Sequence, residues 1–503
     1  MADQPNILFI TSDQQHWSTL GRLNPRMSTP ALDQLAAEGA LHTRAYCPNP
    51  TCTPSRASMI TGLWPSRHGG WALGTKLPEN VPTVGGILQQ AGYRTGLIGK
   101  AHFQPLASTA EHVSIEAYPT LHDTQFWRDF SGPFYGFQHL ELARNHTDEG
   151  HAGQHYGLWL EGKGCGDWRR YFRPPAGTKD NSVHHWAIPE EFHYNAWIAE
   201  RSNAYIDQAA GAGSPFFLWA SFFDPHPPYL APAPWDTLYD WRELTAPAAV
   251  PGEHDANPRH FRMTQEPSPD FSAWDESGGH RVLGFHTHRR DNERLRQDMA
   301  VYFGMVSLLD KYVGRILAHL EARGLAGNTL VVFTSDHGHL FGQHGLVAKG
   351  PFHYEDLLRV PLIARFPGKI PAGRQDPRLQ TLVDLPATFL ECAGLGVPPA
   401  MSARSQWAAW QDPRRSTRDC VLVENRHQPT TVHLNTLVTE THKLTVYRQG
   451  DAGELFDLVR DPGELRNLWA EPSAQAVKAH LLQRLVQVEM ENQPLPMPRV
   501  SIA

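Results

Sequence analysis

Short apolar segments alternate with helical segments along the N-terminal part of the chain, and this alternation most constrains the fold. The run Asn6 to Ile10 predicts a buried strand, and Thr29 and Pro30 fit the cap and first residue of a helix that Gly39 ends. The same alternation predicts an α/β fold with a large, mostly parallel sheet sandwiched between helices. The other predicted segments are a helix over Thr83 to Gln90, strands over Thr95 to Ile98, Pro215 to Phe222 and Thr329 to Phe333, and a long helix over Asp291 to Arg323.

The alternation stops after Gly394, which predicts a second, smaller domain. Cys420 to Glu424, Thr436 to Thr439 and Lys443 to Tyr447 favour short antiparallel strands, and a last helix follows from about Ser473 to Glu489. We therefore expect an α/β domain over residues 1–395 and a C-terminal α+β domain over 396–503, built on a short antiparallel sheet. Residues 103–192 and 225–290 are rich in Pro, Gly, His and aromatics, and we interpret them as insertions that roof a cleft.

Composition excludes several classes of protein. With 41% hydrophobic and 19% charged residues and a net charge of -7, the chain resembles neither a disordered protein nor a nucleic-acid binder. The start Met1 to Pro5 lacks a basic signal region, and Ile7 to Ile10 is too short to cross a membrane. We therefore expect a cytoplasmic protein with no nucleic-acid or membrane partner, and its five scattered cysteines indicate reduced thiols.

Polar side chains follow the predicted strands at the points where the strands end. In an open α/β sheet ligands bind beyond the carboxyl ends of the strands, where Asp13, Lys100, His226 and Asp336 are expected to lie. These four residues come from distant parts of the chain. The sequence therefore predicts that they converge on one cleft.

Two of these positions favour a metal site. Asp13 is followed by Gln14 and Asp336 by His337, so that two carboxylates come with neutral oxygen or nitrogen donors. Such a set suits a hard cation such as calcium, magnesium or manganese. Taken singly, each aspartate fits a turn cap at the end of a strand equally well.

Two further local patterns concern the same cleft. A first helical position for Pro54 would place the backbone amides of Ser55 and Arg56 near residue 52, where a helix N-terminus favours an anion. Lys100 and His102 are two residues apart, and in extended chain their side chains would point to one side. A surface lysine and an ordinary histidine would be the simpler interpretation of the second pattern alone.

The run Cys52-Thr53-Pro54-Ser55-Arg56, closed by Thr61-Gly62, resembles the signature in which type I sulfatases convert a cysteine to formylglycine. These enzymes belong to the alkaline-phosphatase superfamily. Asn6 to Asp13 and Phe333 to Gly338 are similar to the metal-binding segments of that family, and the similarity covers residues 6 to about 105, 216 to 229 and about 300 to 395. Glu454 to Leu458 and Asp461 to Glu464 resemble its C-terminal domain.

The resemblance implies a metal-dependent sulfatase acting on a small sulfate ester. Its nucleophile would be a formylglycine hydrate made from Cys52 by a formylglycine-generating enzyme, and its cofactor one divalent cation, calcium or manganese. The implied roles are charge stabilisation by Lys100, deprotonation of the hydrate by His102 when the covalent sulfate is released, assistance to the leaving alcohol by His226, binding of the transferred group by Lys349 and charge balance by Arg56. The implied metal ligands are Asp13, Gln14, residue 52, Asp336 and His337.

Two departures from the family pattern bear on the substrate. Gln14 stands where many sulfatases have an aspartate, and His337 stands where many have an asparagine. Both changes resemble a branch that contains phosphonate monoester hydrolases and promiscuous arylsulfatases. The alternative function is thus hydrolysis of phosphonate monoesters or phosphodiesters, and a less favoured one is anion binding by an unconverted Cys52 without catalysis. The sequence leaves the oligomeric state open, a homo-oligomer included.

Two other patterns are weaker. His286 and His288 have metal-like spacing but no partner pair, which favours surface histidines. A group of aromatic residues in the first insertion would either line a substrate pocket or, more commonly, pack the inserted segment itself. This group comprises Trp159, Trp168, Tyr171 and Phe172.

Overall fold

The computed structural model describes residues 4–144, 151–173, 184–274, 291–426 and 431–493. The strands are β1 (Asn6–Ser12), β2 (Ala40–Tyr46), β3 (Arg94–Gly99), β4 (His139–Leu142), β5 (Phe216–Ser221), β6 (Thr329–Ser335), β7 (Leu340–Phe341), β8 (Val347–Ala348), β9 (Arg359–Val360), β10 (Leu362–Arg365), β11 (Arg374–Thr381), β12 (Cys420–Asn425), β13 (Leu434–Thr439), β14 (His442–Tyr447) and β15 (Gly453–Asp457). The α-helices are α1 (Pro30–Glu38), α2 (Cys52–Thr61), α3 (Pro65–His68), α4 (Val84–Gln90), α5 (Thr124–Asp129), α6 (Gln154–Gly162), α7 (Tyr194–Gly211), α8 (Arg259–Met263), α9 (Asn292–Ala322), α10 (Glu355–Leu358), α11 (Leu385–Cys392), α12 (Trp407–Gln411) and α13 (Gln475–Glu491).

The main sheet has nine strands among the described residues. Eight follow the order β11-β2-β10-β6-β1-β5-β3-β4, and β9 pairs with β2. Neighbouring strands are parallel except at β9 and β10, which run antiparallel to their partners. The predicted large, mostly parallel sheet is confirmed, and β1 lies near its centre.

Helices cover both faces of this sheet because successive side chains of a strand point to opposite sides. On one face Phe9 of β1 packs against Phe389 of α11, with the ring centroids 5.3 Å apart. On the other face Leu8 belongs to a cluster that includes Trp197 of α7 and Leu309 of α9. Strands buried on both faces explain why these segments are continuously apolar in the sequence.

The C-terminal part confirms the predicted antiparallel sheet. β12, β13, β14 and β15 pair in chain order as antiparallel neighbours. Leu422 and Leu437 of this sheet pack with Leu481 and Leu485 of α13. The same cluster contains Trp64 from the N-terminal part, so the two parts share buried apolar surface.

The first predicted insertion, interpreted above as covering the cleft, also contributes a strand to the main sheet. Its strand β4 pairs in parallel with β3 and extends the main sheet at one edge. A four-residue strand is too short to show a hydrophobic period, which is why the sequence pattern did not predict it. Trp168 and Phe172 are buried in a core cluster, and Trp159 and Tyr171 pack against it, so these aromatics fill the inserted segment itself.

Two simpler expectations concern membranes and disulfides. None of the helices in the described ranges combines the length and the apolar character that crossing a bilayer requires. Each of the five cysteines is buried and unpaired, as expected of reduced thiols.

Gly99, at the end of β3, allows the backbone to turn into the site, and replacing it tests this fit. Its φ is +112°, and a Cβ atom there would lie 1.8 Å from the Ser221 carbonyl oxygen of β5. Gly92 also has a positive φ, +93°, but a Cβ there would meet no atom within 4 Å. We expect Gly92→Ala to lower the free energy of unfolding by about 1–2 kcal/mol and Gly99→Ala by clearly more, measured by urea titration. Equal losses in the free energy of unfolding would show that the close approach of β3 to β5 adds nothing to the cost of a side chain at Gly99.

Candidate active site

The site begins where two central strands end together. β1 and β6 are parallel neighbours with Ser12 opposite Ser335, so the residues that follow, Asp13 and Asp336, reach the same edge of the sheet. Both carboxylates are buried. The amide nitrogen of Gln14 donates to Asp336 Oδ1 at 2.9 Å and ties the two strand ends together.

Cys52 faces these carboxylates from the start of α2. Thr51 occupies the N-cap position of this helix without a side-chain capping bond, so Cys52 is the first helical residue and Pro54 the third, and the predicted first position for Pro54 is wrong. Cys52 Sγ lies 3.6 Å from Asp13 Oδ1 and 3.3 Å from His337 Nε2. Residue 52 therefore carries its side chain directly into the site.

A group of four side chains has the geometry of a metal site. One ligand atom from each of Asp13, Cys52, Asp336 and His337 can be chosen such that all lie within 4.8 Å of one another. Gln14 Oε1 is also buried, and it has no hydrogen-bond partner. Two carboxylates, an imidazole and an amide oxygen without a hydrogen-bond partner are a set of donors that fits a divalent cation.

Arg56, one turn into α2, connects three strand ends. Its Nε donates to Asp336 Oδ2 at 2.8 Å, and its Nη1 donates to the carbonyl oxygen of Lys100 and to Ser221 Oγ. The guanidinium is fully buried and lies over the Trp219 ring, 5.7 Å from its centroid. A buried arginine with this many acceptors fixes α2 against the sheet.

Lys100 and His102 reach the site, but not as an extended pair. Lys100 Nζ contacts Asp13 Oδ2 in a buried ion pair. His102 follows β3 with a φ of +61°, in the left-handed region, so the predicted pleated spacing is wrong. A single carboxylate, that of Glu116, accepts hydrogen bonds from the backbone nitrogens of residues 102 to 104 and holds this bend. Glu116 also pairs with the buried Arg144 at 3.0 Å.

His226 and Lys349 close the opposite side of the site. Lys349 Nζ lies 3.3 Å from Cys52 Sγ, 3.4 Å from His226 Nε2 and 3.3 Å from His337 Nε2. The His226 loop is tied to β1, because the Asp13 backbone nitrogen donates to the carbonyl oxygen of Asp224. All the candidate residues predicted from the sequence thus come together around Cys52.

Charges in this buried group shift the pKa values of its members. Burial opposes a thiolate at Cys52, but Lys100 and Lys349 outweigh it and lower the pKa of Cys52 well below the usual thiol range. Burial and the neighbouring charge of Asp336 raise the pKa of Asp13. For Asp336 burial acts in the same direction, but His337 and Arg56 outweigh it and lower its pKa.

Sequence reasoning missed three residues that support the site. Glu116 and Arg144 lie in the first insertion, where no motif marks them. His339 lies beside Gln14, with 2.8 Å between Gln14 Nε2 and His339 Nδ1. The one feature of the sequence that could have pointed to His339 is its place directly after the predicted metal-binding segment, Phe333 to Gly338. His286 and His288 lie outside the described residues.

Comparison with known proteins identifies the family. A family model described as Sulfatase matches residues 5–395, and a second, described as N-sulphoglucosamine sulphohydrolase, C-terminal, matches residues 342–491. The chain belongs to the sulfatase family. As a member of this family it is a sulfuric ester hydrolase.

Several relatives resemble this sulfatase over most of their length. The arylsulfatase of Clostridium perfringens is 28% identical over 92% of this chain and 90% of its own. The multifunctional alkaline phosphatase superfamily protein PehA of Trinickia caryophylli is 27% identical over 80% of this chain and 76% of its own. The solved structure of a phosphonate monoester hydrolase from Silicibacter pomeroyi superposes with a TM-score of 0.80 at 26% identity, covering 99% of this chain and 98% of that one.

The charge around residue 52 predicts a thiolate in unconverted, metal-free sulfatase. Because the Cys52 pKa is lowered, the ultraviolet absorbance of one thiolate should persist at neutral pH, below the ordinary thiol pKa of about 8.5. Burial raises the pKa of Cys420 to about 11 and that of Cys392 to about 12, so neither contributes there. Cys52→Ser should remove the signal, and Lys349→Met should move its titration to higher pH. A signal that emerges only above about pH 8.5 would contradict this electrostatic account.

Proposed function

We propose that this sulfatase hydrolyses small sulfate esters with a formylglycine made from Cys52 and one divalent cation, calcium or manganese. The observation that carries the proposal is the position of Cys52 Sγ. It lies against Asp13 and His337 on one side and 3.3 Å from Lys349 Nζ on the other. A reacting group at residue 52 would meet both metal ligands and an anion-binding cation.

The residues present fit the proposed cation. Asp13, Gln14, Asp336 and His337 would hold it together with an oxygen of converted residue 52, a set suited to calcium or manganese. When bound, the cation would acidify the hydroxyl of a hydrated aldehyde and polarise the oxygens of the ester. Conversion of Cys52 makes a formylglycine-generating enzyme the proposed maturation partner.

Lys100 and Lys349 are the proposed groups that bind the anionic oxygens of the substrate. Both side chains lie close enough to Cys52 to act on its charge. Their ammonium groups would offset the negative charge that gathers on the transferred group. Arg56 donates through Nε and Nη1 to Asp336, Lys100 and Ser221, so its proposed role is to hold these acceptors in place and to balance the local carboxylates.

The two histidines are assigned opposite proton transfers. Burial, reinforced by Arg144, lowers the pKa of His102 well below the usual range, which keeps this imidazole neutral and fit to accept a proton from residue 52. Because a carbonyl oxygen can only accept, His226 Nδ1 carries a proton and donates it to the carbonyl oxygen of Pro227 at 2.5 Å, while Nε2 faces the site. His226 would deliver a proton from Nε2 to the departing alcohol as the imidazolium, the form in which both ring nitrogens carry a proton.

Conversion of residue 52 is the first test. We expect mass analysis of the peptide that contains residue 52 to show a lower mass than the cysteine form, and turnover of an aryl sulfate to scale with the converted fraction. Cys52→Ala should lower kcat/KM by about a thousand-fold or more, since the nucleophile is lost. Unreduced turnover by Cys52→Ala protein would refute the proposal. If the unaltered protein bound the aryl sulfate but did not turn it over, the anion-binding alternative would be favoured.

A second candidate is hydrolysis of phosphonate monoesters or phosphodiesters at the same site. It is favoured by the neutral Gln14 in the metal set and by the close superposition on a phosphonate monoester hydrolase. Sulfate esters and phosphonate monoesters both place a multi-oxygen centre between a nucleophile and cationic groups. The same residues would therefore serve either reaction.

The two substrates can be compared directly. We expect converted protein to show a higher kcat/KM for an aryl sulfate than for the aryl phosphonate monoester with the same leaving group. The matched leaving group confines the comparison to the transferred centre. A preference for the phosphonate would reassign the physiological substrate to the second candidate and leave the roles of the site residues unchanged.

A further inference from the structure

The backbone of Gln14 is fixed from both sides. Its amide nitrogen donates to Asp336 Oδ1 at 2.9 Å, and its carbonyl oxygen accepts from Tyr302 Oη at 2.8 Å. Its φ is +61°, a conformation that a residue with a side chain adopts only where its surroundings enforce it. The side chain, 1% exposed, therefore leaves the backbone in one fixed direction.

Backbone position does not decide which end of the Gln14 amide faces the metal ligands. The two ends have nearly the same shape but opposite chemistry, since only the oxygen can bind a cation and only the nitrogen carries protons. An aspartate or glutamate at this position would have no such ambiguity, because both of its ends are oxygen. The replacement of a carboxylate by an amide thus requires a neighbouring group that selects the orientation.

His339 is placed to make this selection. Gln14 Nε2 lies 2.8 Å from His339 Nδ1, and Gln14 Oε1 is buried with no hydrogen-bond partner. Because the amide nitrogen can only donate, Nδ1 must accept, which leaves the ring proton on Nε2. His339 Nε2 lies 2.9 Å from Tyr229 Oη, an atom able to accept that proton.

The imidazole itself is held by aromatic neighbours. The His339 ring stacks on Tyr302, with centroids 5.1 Å apart and planes 17° apart. Phe341 meets it edge-on at 4.6 Å, and the residue is fully buried. Its acceptor atom therefore has one position relative to the Gln14 amide.

We propose that His339 is a positioning residue that turns the carbonyl end of Gln14 toward the divalent cation. The inference rests on the cation that we propose above and adds a determinant of its affinity. His339 would contact neither cation nor substrate, and its effect would pass through the Nδ1 lone pair. Groups outside the ligand shell that orient a ligand typically change metal affinity by about 10- to 100-fold when lost.

The test compares two isosteric substitutions by titration calorimetry with Mn²⁺ on chelator-stripped, full-length protein. His339→Leu removes the acceptor and should raise the dissociation constant by about 10- to 100-fold. His339→Asn can present its side-chain oxygen near the position of Nδ1, and it should bind close to the unaltered protein. His339→Phe, which keeps a ring against Tyr302, gives the same comparison if the leucine variant does not fold.

A double-mutant cycle with Gln14→Glu separates orientation from packing. Since both ends of a glutamate are oxygen, His339→Leu should no longer weaken Mn²⁺ binding in that background. An equal loss in both backgrounds would overturn the proposal and leave His339 as a packing residue. Normal Mn²⁺ binding by His339→Leu alone would also overturn it while sparing the proposed function. Failure of the unaltered protein to bind Mn²⁺ or Ca²⁺ would refute both.

Discussion

Two carboxylates buried side by side at the ends of β1 and β6 are the constraint on which the rest of the site depends. Asp13 and Asp336 are 1% and 0% exposed, and burying an uncompensated charge costs several kcal/mol. Two cations pair with them from different parts of the chain, Arg56 from α2 with Asp336 and Lys100 from the end of β3 with Asp13. A third, Lys349 from the loop after β8, lies beside them against Cys52 and His337. The elements that fold around these carboxylates are therefore the ones that assemble the reaction centre.

Arg56 compensates a buried charge and at the same time fixes the positions of three strand ends. One guanidinium bonds to the Asp336 carboxylate, to the backbone of Lys100 and to the Ser221 hydroxyl, which itself donates to the Lys100 carbonyl oxygen at 2.7 Å. These acceptors stand at the ends of β6, β3 and β5. A lysine would provide the charge but not the planar fork, so the arginine of the signature has a structural reason that is independent of any chemistry at residue 52.

The sequence predicted the parts of this site that lie on regular elements. Asp13 and Asp336 could be placed because apolar strands mark where the sheet ends, and the resemblance supplied the role of Cys52. The bend at His102 was not predictable, because it depends on Glu116 accepting three backbone bonds from a segment fourteen residues away. The orientation of Gln14 likewise depends on a contact with His339 that spans 325 positions, and no local pattern encodes it.

The C-terminal sheet has a part in the site that its place in the chain does not suggest. Leu346 and Phe352, on either side of Lys349, are buried in one cluster with Leu434 and Phe456 of that sheet. His353 is also hydrogen-bonded to Thr436 Oγ1 at 2.7 Å. The match to the C-terminal family model begins at residue 342, shortly before Leu346, and so includes the loop that carries Lys349. Because the ammonium group of Lys349 lies 3.3 Å from Cys52 Sγ, packing of the C-terminal sheet helps to hold the loop that carries this cation beside residue 52.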